Sequence, residues 1–243
     1  MKIYAIADTH LSFDSNIDKP MGVFGLGWEN HEQRLREAWE ERVSDEDIVL
    51  IPGDISWALK IEEAMADFEW LHNLPGLKII SKGNHDLWWS RISYLNSLYN
   101  DIIFLQNESY YAEELNTVIC ATRGWPYPGL DEYTEHDEKL YARELHRLKL
   151  GLDSAVSKAP GAEIIVALHY PPSDPSGRET EFTKLLEEYG VSTCVYGHLH
   201  GQIAFNKGIK GTFRGVRYML VSLDYLGAIP KLIKEQKQEN LSI

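Results

Sequence analysis

Seven side chains that bind metals readily fall into five short blocks of this sequence: Asp8 with His10, Asp54 after Gly53, Asn84 after Gly83, His169, and His198 with His200 after Gly197. Asp8 and His10 are separated by one residue, as are His198 and His200, so each pair can reach a single cation across a turn. The donors are oxygen and imidazole, with no thiolate. Such a set suits Mn, Fe, Co, Ni or Zn in five- or six-coordinate geometry rather than a cysteine-bound structural zinc. Seven ligands are too many for one ion and fit two divalent transition-metal ions that share a bridging carboxylate. Singly, D-x-H and G-D occur by chance in most proteins, G-N-H-D is moderately specific, and G-H-x-H after an apolar run is more so. The blocks carry weight jointly and in order.

Each block follows a short apolar run. The runs cover residues 2–7, 47–51, 77–81, 163–168 and 192–196 and are rich in Ile and Val, as strands buried on both faces should be. Apolar spacing predicts helices over 30–43, 61–74, 90–98, 133–156 and 180–189, the first with Asn30 as its cap and Gln33 three residues on. This alternation argues for an α/β fold with a largely parallel sheet. Segments 102–106, 109–112, 117–122, 211–213 and 216–223 predict further strands and a second, mixed sheet. The carboxyl ends of parallel strands share one edge, where ligands bind, so the five blocks are expected to meet in one cleft.

The ordered set Asp8-x-His10, Gly53-Asp54, Gly83-Asn84-His85-Asp86, His169 and Gly197-His198-x-His200 resembles the calcineurin-like metallophosphoesterase superfamily, with every ligand type matching over residues 8–200. The resemblance implies an α/β fold of four layers (αββα), a two-sheet β-sandwich flanked by helices with the metals at the strand ends. It implies that Asp8, His10, Asp54 and His200 hold one metal, and that Asp54, Asn84, His169 and His198 hold the other, with Asp54 bridging. It further implies hydrolysis of phosphate esters by a metal-bridging hydroxide. In that chemistry His85 faces the leaving-group oxygen and Asp86 orients its imidazole. Two such ions outweigh the two carboxylates and a hydroxide, so the centre is cationic and attracts phosphate. They also lower the pKa of bound water toward about 7.

By analogy with the short bacterial phosphodiesterases the expected substrate is a phosphodiester, with a phosphomonoester or nucleotide pyrophosphate as alternatives. A metal-binding interaction scaffold on the same fold is the non-enzyme alternative, but such a protein is expected to have lost a ligand or the acid histidine. Metallohydrolases of amides and lactones typically open on H-x-H or carry H-x-H-x-D-H, whereas this chain opens on D-x-H and has no H-x-H-x-D-H.

At 243 residues, 44% hydrophobic and 25% charged, the chain has ordinary globular composition and is read as one domain. Its net charge of −13 argues against long nucleic acid and anionic membrane as partners and leaves a small phosphorylated substrate open. No signal peptide and no run of about 18 apolar residues is evident, so a cytoplasmic location is expected. Cys120 and Cys194 lie in apolar runs and read as buried thiols. Trp57, Trp88, Trp89, Trp125, Tyr127 and Tyr170 flank the blocks, as core more often than as pocket floor. Arg123 is open between a substrate phosphate and a structural ion pair. His31, His72, His136 and His146 read as solvated. Segment 11–29, with Met21, Val23, Phe24, Leu26 and Trp28 among three glycines, reads as a lid or a self-association patch that would make homo-oligomers. Residues 231–243 read as a frayed tail.

Overall fold

Side-chain alternation within the strands decides the layering. In β1 (Lys2–Ala5), Ile3 and Ala5 face one core and Tyr4 another; in β2 (Ile48–Pro52), Ile48 and Leu50 oppose Val49 and Ile51 in the same way. Both faces are therefore covered, as a parallel sheet requires. The computed structural model describes residues 1–25, 27–130 and 133–236. In it, β1, β2, β3 (Leu77–Ser81) and β4 (Ile102–Phe104) run parallel, and β11 (Lys231–Glu235) closes the sheet antiparallel beside β1.

The second sheet has the order β5-β6-β7-β8-β10-β9. Its parallel centre is β6 (Thr117–Thr122), β7 (Glu163–Leu168), β8 (Thr193–Tyr196) and β10 (Val216–Leu220). Antiparallel β5 (Ser109–Ala112) and β9 (Gly211–Phe213) form its edges. Ile3, Leu50 and Ile79 of one sheet meet Ile119, Ile165 and Val195 of the other in a dry central layer. Outside the first sheet, α1 (His31–Arg42) and α2 (Ile61–His72) contribute Leu35, Trp39, Phe68 and Leu71. Outside the second, α4 (Glu135–Lys158) and α5 (Glu181–Glu188) contribute Leu148, Leu152, Phe182 and Leu186. The result is the expected α/β sandwich of helices on two packed sheets.

Local signals explain the helix starts unevenly. At α4, Asp137 accepts the Thr134 N–H at 2.9 Å while the Thr134 hydroxyl accepts the Asp137 N–H, a reciprocal cap with an acidic first turn. Asn30 does not act as the expected cap. It is left-handed (φ 47°) and its side chain makes no capping bond, because a turn from Trp28 feeds α1 directly. Three short α-helices, α3 (Ile92–Leu95), α6 (Gly201–Phe205) and α7 (Leu223–Leu226), and two 3₁₀ turns, Met21–Phe24 and Glu113–Leu115, complete the described elements. None of the described helices is long and apolar enough to cross a membrane.

Two other expectations need correction. The five metal-block strands do not share one sheet: β1, β2 and β3 lie in the first and β7 and β8 in the second. The cleft forms because the sheets face one another, with β2 packed against β7. Residues 231–235 are not frayed, since they pair with β1 and bury Ile233 in the central layer while Lys234 binds Glu163. Lysines flanking a lone inward Ile are the pattern of an edge strand. Residues 237–243 lie outside the described residues, as does Leu26.

Segment 11–29 is anchored at its start by a buried acid. Asp67 of α2 accepts the Phe13 N–H at 2.8 Å and the Ser56 hydroxyl. Burial pushes its carboxyl up to about 6. A raised folded-state pKa favours folding fully below the unfolded value, and that contribution is lost as pH rises through about 6. Asp67→Asn is therefore expected to remove on the order of 1–3 kcal/mol of stability loss between pH 4 and pH 7. Urea denaturation across that range checks this; parallel wild-type and variant profiles would contradict it.

Candidate metal centre

The side chains of the five blocks converge at the strand ends in two groups. Asp8, His10 and His200 bring one ligand atom each within 4.8 Å of one another, and so do Asp54, His169 and His198. Asn84 joins the second group, its Oδ1 lying 2.7 Å from His169 Nε2, and His198 Nδ1 is 3.2 Å from the same nitrogen. Asp54 Oδ2 stands between the groups, 3.4 Å from His169 Nε2 and 3.9 Å from His10 Nε2. All seven expected ligand residues are thus brought together, and Asp54 is positioned to serve both groups; Asp8 Oδ1 also lies 3.6 Å from His169, but at Nδ1, which is taken by the Pro52 carbonyl.

The backbone is bent to achieve this. Asp8, His10, Asp54 and His198 are four of the eight non-glycine residues with positive φ among the described residues. Each such residue costs of order 1–3 kcal/mol, and such outliers cluster at functional sites. Neighbouring glycines make the approach possible. A Cβ on Gly83 would lie 2.1 Å from Asp54 Oδ1, and one on Gly197 would lie 2.6 Å from Asp8 Oδ2. The His198 N–H donates to the Asp8 carboxylate at 3.0 Å, and the His85 N–H donates to Asp54 Oδ1 at 2.8 Å.

The electrostatics fit cations. Burial pushes the Asp8 carboxyl up to about 7 and raises that of Asp54. Burial also holds the His169 and His198 imidazoles down at about 3, and His10 well below its ordinary value. Neutral imidazoles offer the lone pairs that metal ligation needs, while buried carboxylates lack countercharge. His10 presents Nε2 toward Asp54, while its Nδ1 is buried with no hydrogen-bond partner among the described residues. The donor set therefore fits two metal ions. His200 differs: burial opposes its protonation, but Asp224, 3.0 Å from Nδ1, and Asp8 raise its pKa.

Asp86 is present but is not on the His85 ring. Its buried carboxylate accepts the N–H groups of Asp54 (2.9 Å), Ile55 (2.9 Å) and Gly83 (2.7 Å). Those donors occupy it, so Asp86 locks the Asp54 turn to the Gly83–His85 turn instead of orienting the imidazole. The His85 ring is exposed and packs on Trp57, with ring centroids 4.5 Å apart.

A family model of calcineurin-like phosphoesterases matches residues 1–202. The chain belongs to that family. As a calcineurin-like phosphoesterase it is similar over 82 residues, at 34% identity, to the gene 66 protein of Mycobacterium phage D29; the match covers 28% of this chain and 41% of that protein's length. It shares its fold with phosphopantetheinyl hydrolase of Mycobacterium tuberculosis (TM-score 0.56, 14% identity, 98% of this chain and 97% of that one). TT1561 of Thermus thermophilus is similar at a TM-score of 0.54 and 12% identity, over 82% of each chain. AQ665 of Aquifex aeolicus, a protein of unknown function, is similar at 0.51 and 15%, over 95% of each.

Other residues sort by contact. Trp57 stacks on His10 at 4.7 Å, and Tyr170 packs on His198 at 4.3 Å with Trp125 behind it. Trp88, Trp89 and Tyr127 belong to the cores. Arg123 lies 3.6 Å from the buried Glu144 and 4.2 Å above Trp125, which makes it an ion pair of the fold. Cys120 and Cys194 are buried and free. His72, His136 and His146 are exposed, as expected. His31 is not: it is buried and bonds the Thr9 carbonyl at 2.9 Å, because the start of α1 packs beneath the Asp8–His10 turn.

Asp224 was not legible in the sequence, since it sits 24 residues beyond His200 with no local motif around it. It holds His200 Nδ1 and the Gly201 N–H, leaving Nε2 free toward Asp8. A carboxylate behind a ligating imidazole fixes its tautomer and orientation. Asp224→Asn is expected to weaken metal affinity at the Asp8, His10 and His200 group by about 10–100-fold and to spare the other group. Metal titration against a competing chelator measures this, and equal affinities in wild type and variant would show that His200 needs no such support.

Proposed function

We propose that this chain is a phosphohydrolase that uses two divalent transition-metal ions, drawn from Mn, Fe, Zn, Co and Ni, and acts on a phosphodiester. The observation that carries the reading is the pair of buried ligand groups that share Asp54 Oδ2 as a common neighbour. Asp8, His10, Asp54 and His200 would hold one ion, and Asp54, Asn84, His169 and His198 the other. When bound, such a pair supplies Lewis acidity toward phosphoryl oxygens and hydroxide at neutral pH.

The remaining work falls to the chain. His85 is exposed beside the ligands rather than buried among them, so its imidazole is free to donate a proton to the departing alkoxide. Asp86 keeps the His85 turn at a fixed distance from Asp54. Trp57 and Trp28 pack on His10 and line the cavity beside it. An exposed histidine in this position also favours an enzyme over a scaffold, which has no use for a proton donor.

Two cavities support a diester over a monoester. One, of about 540 Å³, and a second, of about 320 Å³, share only Trp57 and His85 in their linings. A diester has two organic arms to place on either side of that pair. The net charge of −13 argues against long nucleic acid, so a small substrate is the proposal.

Metal-replete protein is expected to hydrolyse diesters faster than monoesters or pyrophosphates, and chelation should abolish the activity reversibly. Full activity after metal removal would sink the assignment. His85→Asn is expected to keep its metals and lose about 10²–10⁴ in kcat on alkyl esters. The loss should be much smaller on nitrophenyl esters, whose leaving groups need no proton. An equal loss on both would make His85 a phosphate binder instead.

A further inference from the structure

The larger cavity has an unusual lining for a site that takes phosphorylated compounds. His10, His85 and His200 mark its inner end, at the candidate metal centre. Its walls are Met21, Phe24, Trp28, Trp57 and Phe205. No lysine or arginine lines it among the described residues. Its one carboxylate among the described residues, Asp224, is already engaged by His200 and Gly201. By contrast, the smaller cavity beyond Trp57 does carry a cation, Lys19.

Segment 11–29 supplies much of this wall. Met21 and Phe24 bound a 3₁₀ turn, and Phe24 keeps 68% of its surface exposed although the cavity mouth is beside it. A large aromatic left in water at the rim of a cavity gains by covering an apolar ligand. A second phosphate in the same place would lose water with no cation to receive it and with Asp224 close by.

We infer that the larger cavity receives an uncharged, apolar arm of the phosphoester, an aromatic ring or short alkyl chain, and discriminates against arms that carry further negative charge. This rests on the reading of the adjacent centre as the phosphate-binding site of a phosphohydrolase. It assigns to segment 11–29 a role in specificity, with Phe24 and Met21 as contact residues for the arm. It also separates this chain from enzymes whose substrates end in a chain of phosphates.

Three stable phosphonates test the inference on the metal-loaded protein by calorimetry: methylphosphonate, benzylphosphonate and 3-phosphonopropionate. They share a headgroup and differ in the arm. Benzylphosphonate is expected to bind roughly tenfold or more tighter than methylphosphonate, and 3-phosphonopropionate no tighter than methylphosphonate. In Phe24→Ser the benzyl-to-methyl ratio should fall toward one, while Phe24→Leu should keep most of it. Phe24 is an exposed residue, so neither change threatens the fold. Equal binding of the methyl and benzyl compounds, a preference for 3-phosphonopropionate, or an undiminished ratio in Phe24→Ser would each overturn the apolar-arm inference and leave the phosphohydrolase reading intact. If none of the three binds and no ester is hydrolysed, the phosphohydrolase reading itself fails, and the inference with it.

Discussion

Asp8 and Asp54 hold two carboxylates out of water, surrounded by imidazoles and backbone. Buried anions without countercharge are costly, and the direction of their pKa shifts expresses that cost. Much of the surrounding geometry follows from keeping both in place. The His198 and His85 N–H groups hold their oxygens. Gly83 and Gly197 leave the room that any side chain would take. Asp86, itself buried, ties the two central turns together through their N–H groups. The left-handed backbone at four candidate ligands adds strain that the surrounding fold opposes.

The candidate ligand residues were legible in the sequence because metal chemistry restricts residue type and turn geometry restricts spacing. The layering was legible for a related reason, since Ile- and Val-rich runs such as 48–51 and 164–167 have no polar face to offer solvent. The partition of the strands between two sheets was not, because periodicity within a strand does not say which strand lies beside it. Long-range side-chain partners were equally hidden. Asp224 and His31 look like surface residues in their local context, and only the fold places them behind His200 and Thr9. Asp86 was found but misassigned, as adjacency to His85 in the chain says nothing about where its carboxylate points. The strand 231–235 was missed because one buried Ile among charged residues is a weak signal.

On the proposed reading, specificity belongs to a different part of the molecule from the chemistry. The three solved structures compared above share 12–15% identity with the chain, so what they have in common with it is the sandwich. Here the cavity walls come from connecting segments, chiefly 11–29 and the short helix α6, with the ligands on the rigid strand ends beneath. That division lets the metal-binding constellation stay fixed while the shape and polarity of the space above it vary.

The central claim is that Asp54 is shared by two cation sites. Metal content per chain, measured by elemental analysis on purified, metal-equilibrated protein, tests it most directly when Asp54→Ala is set beside His169→Ala and the wild type. The account predicts about two ions in the wild type, loss of chiefly one in His169→Ala, and depletion at both sites in Asp54→Ala. Retention of both ions in Asp54→Ala would contradict it.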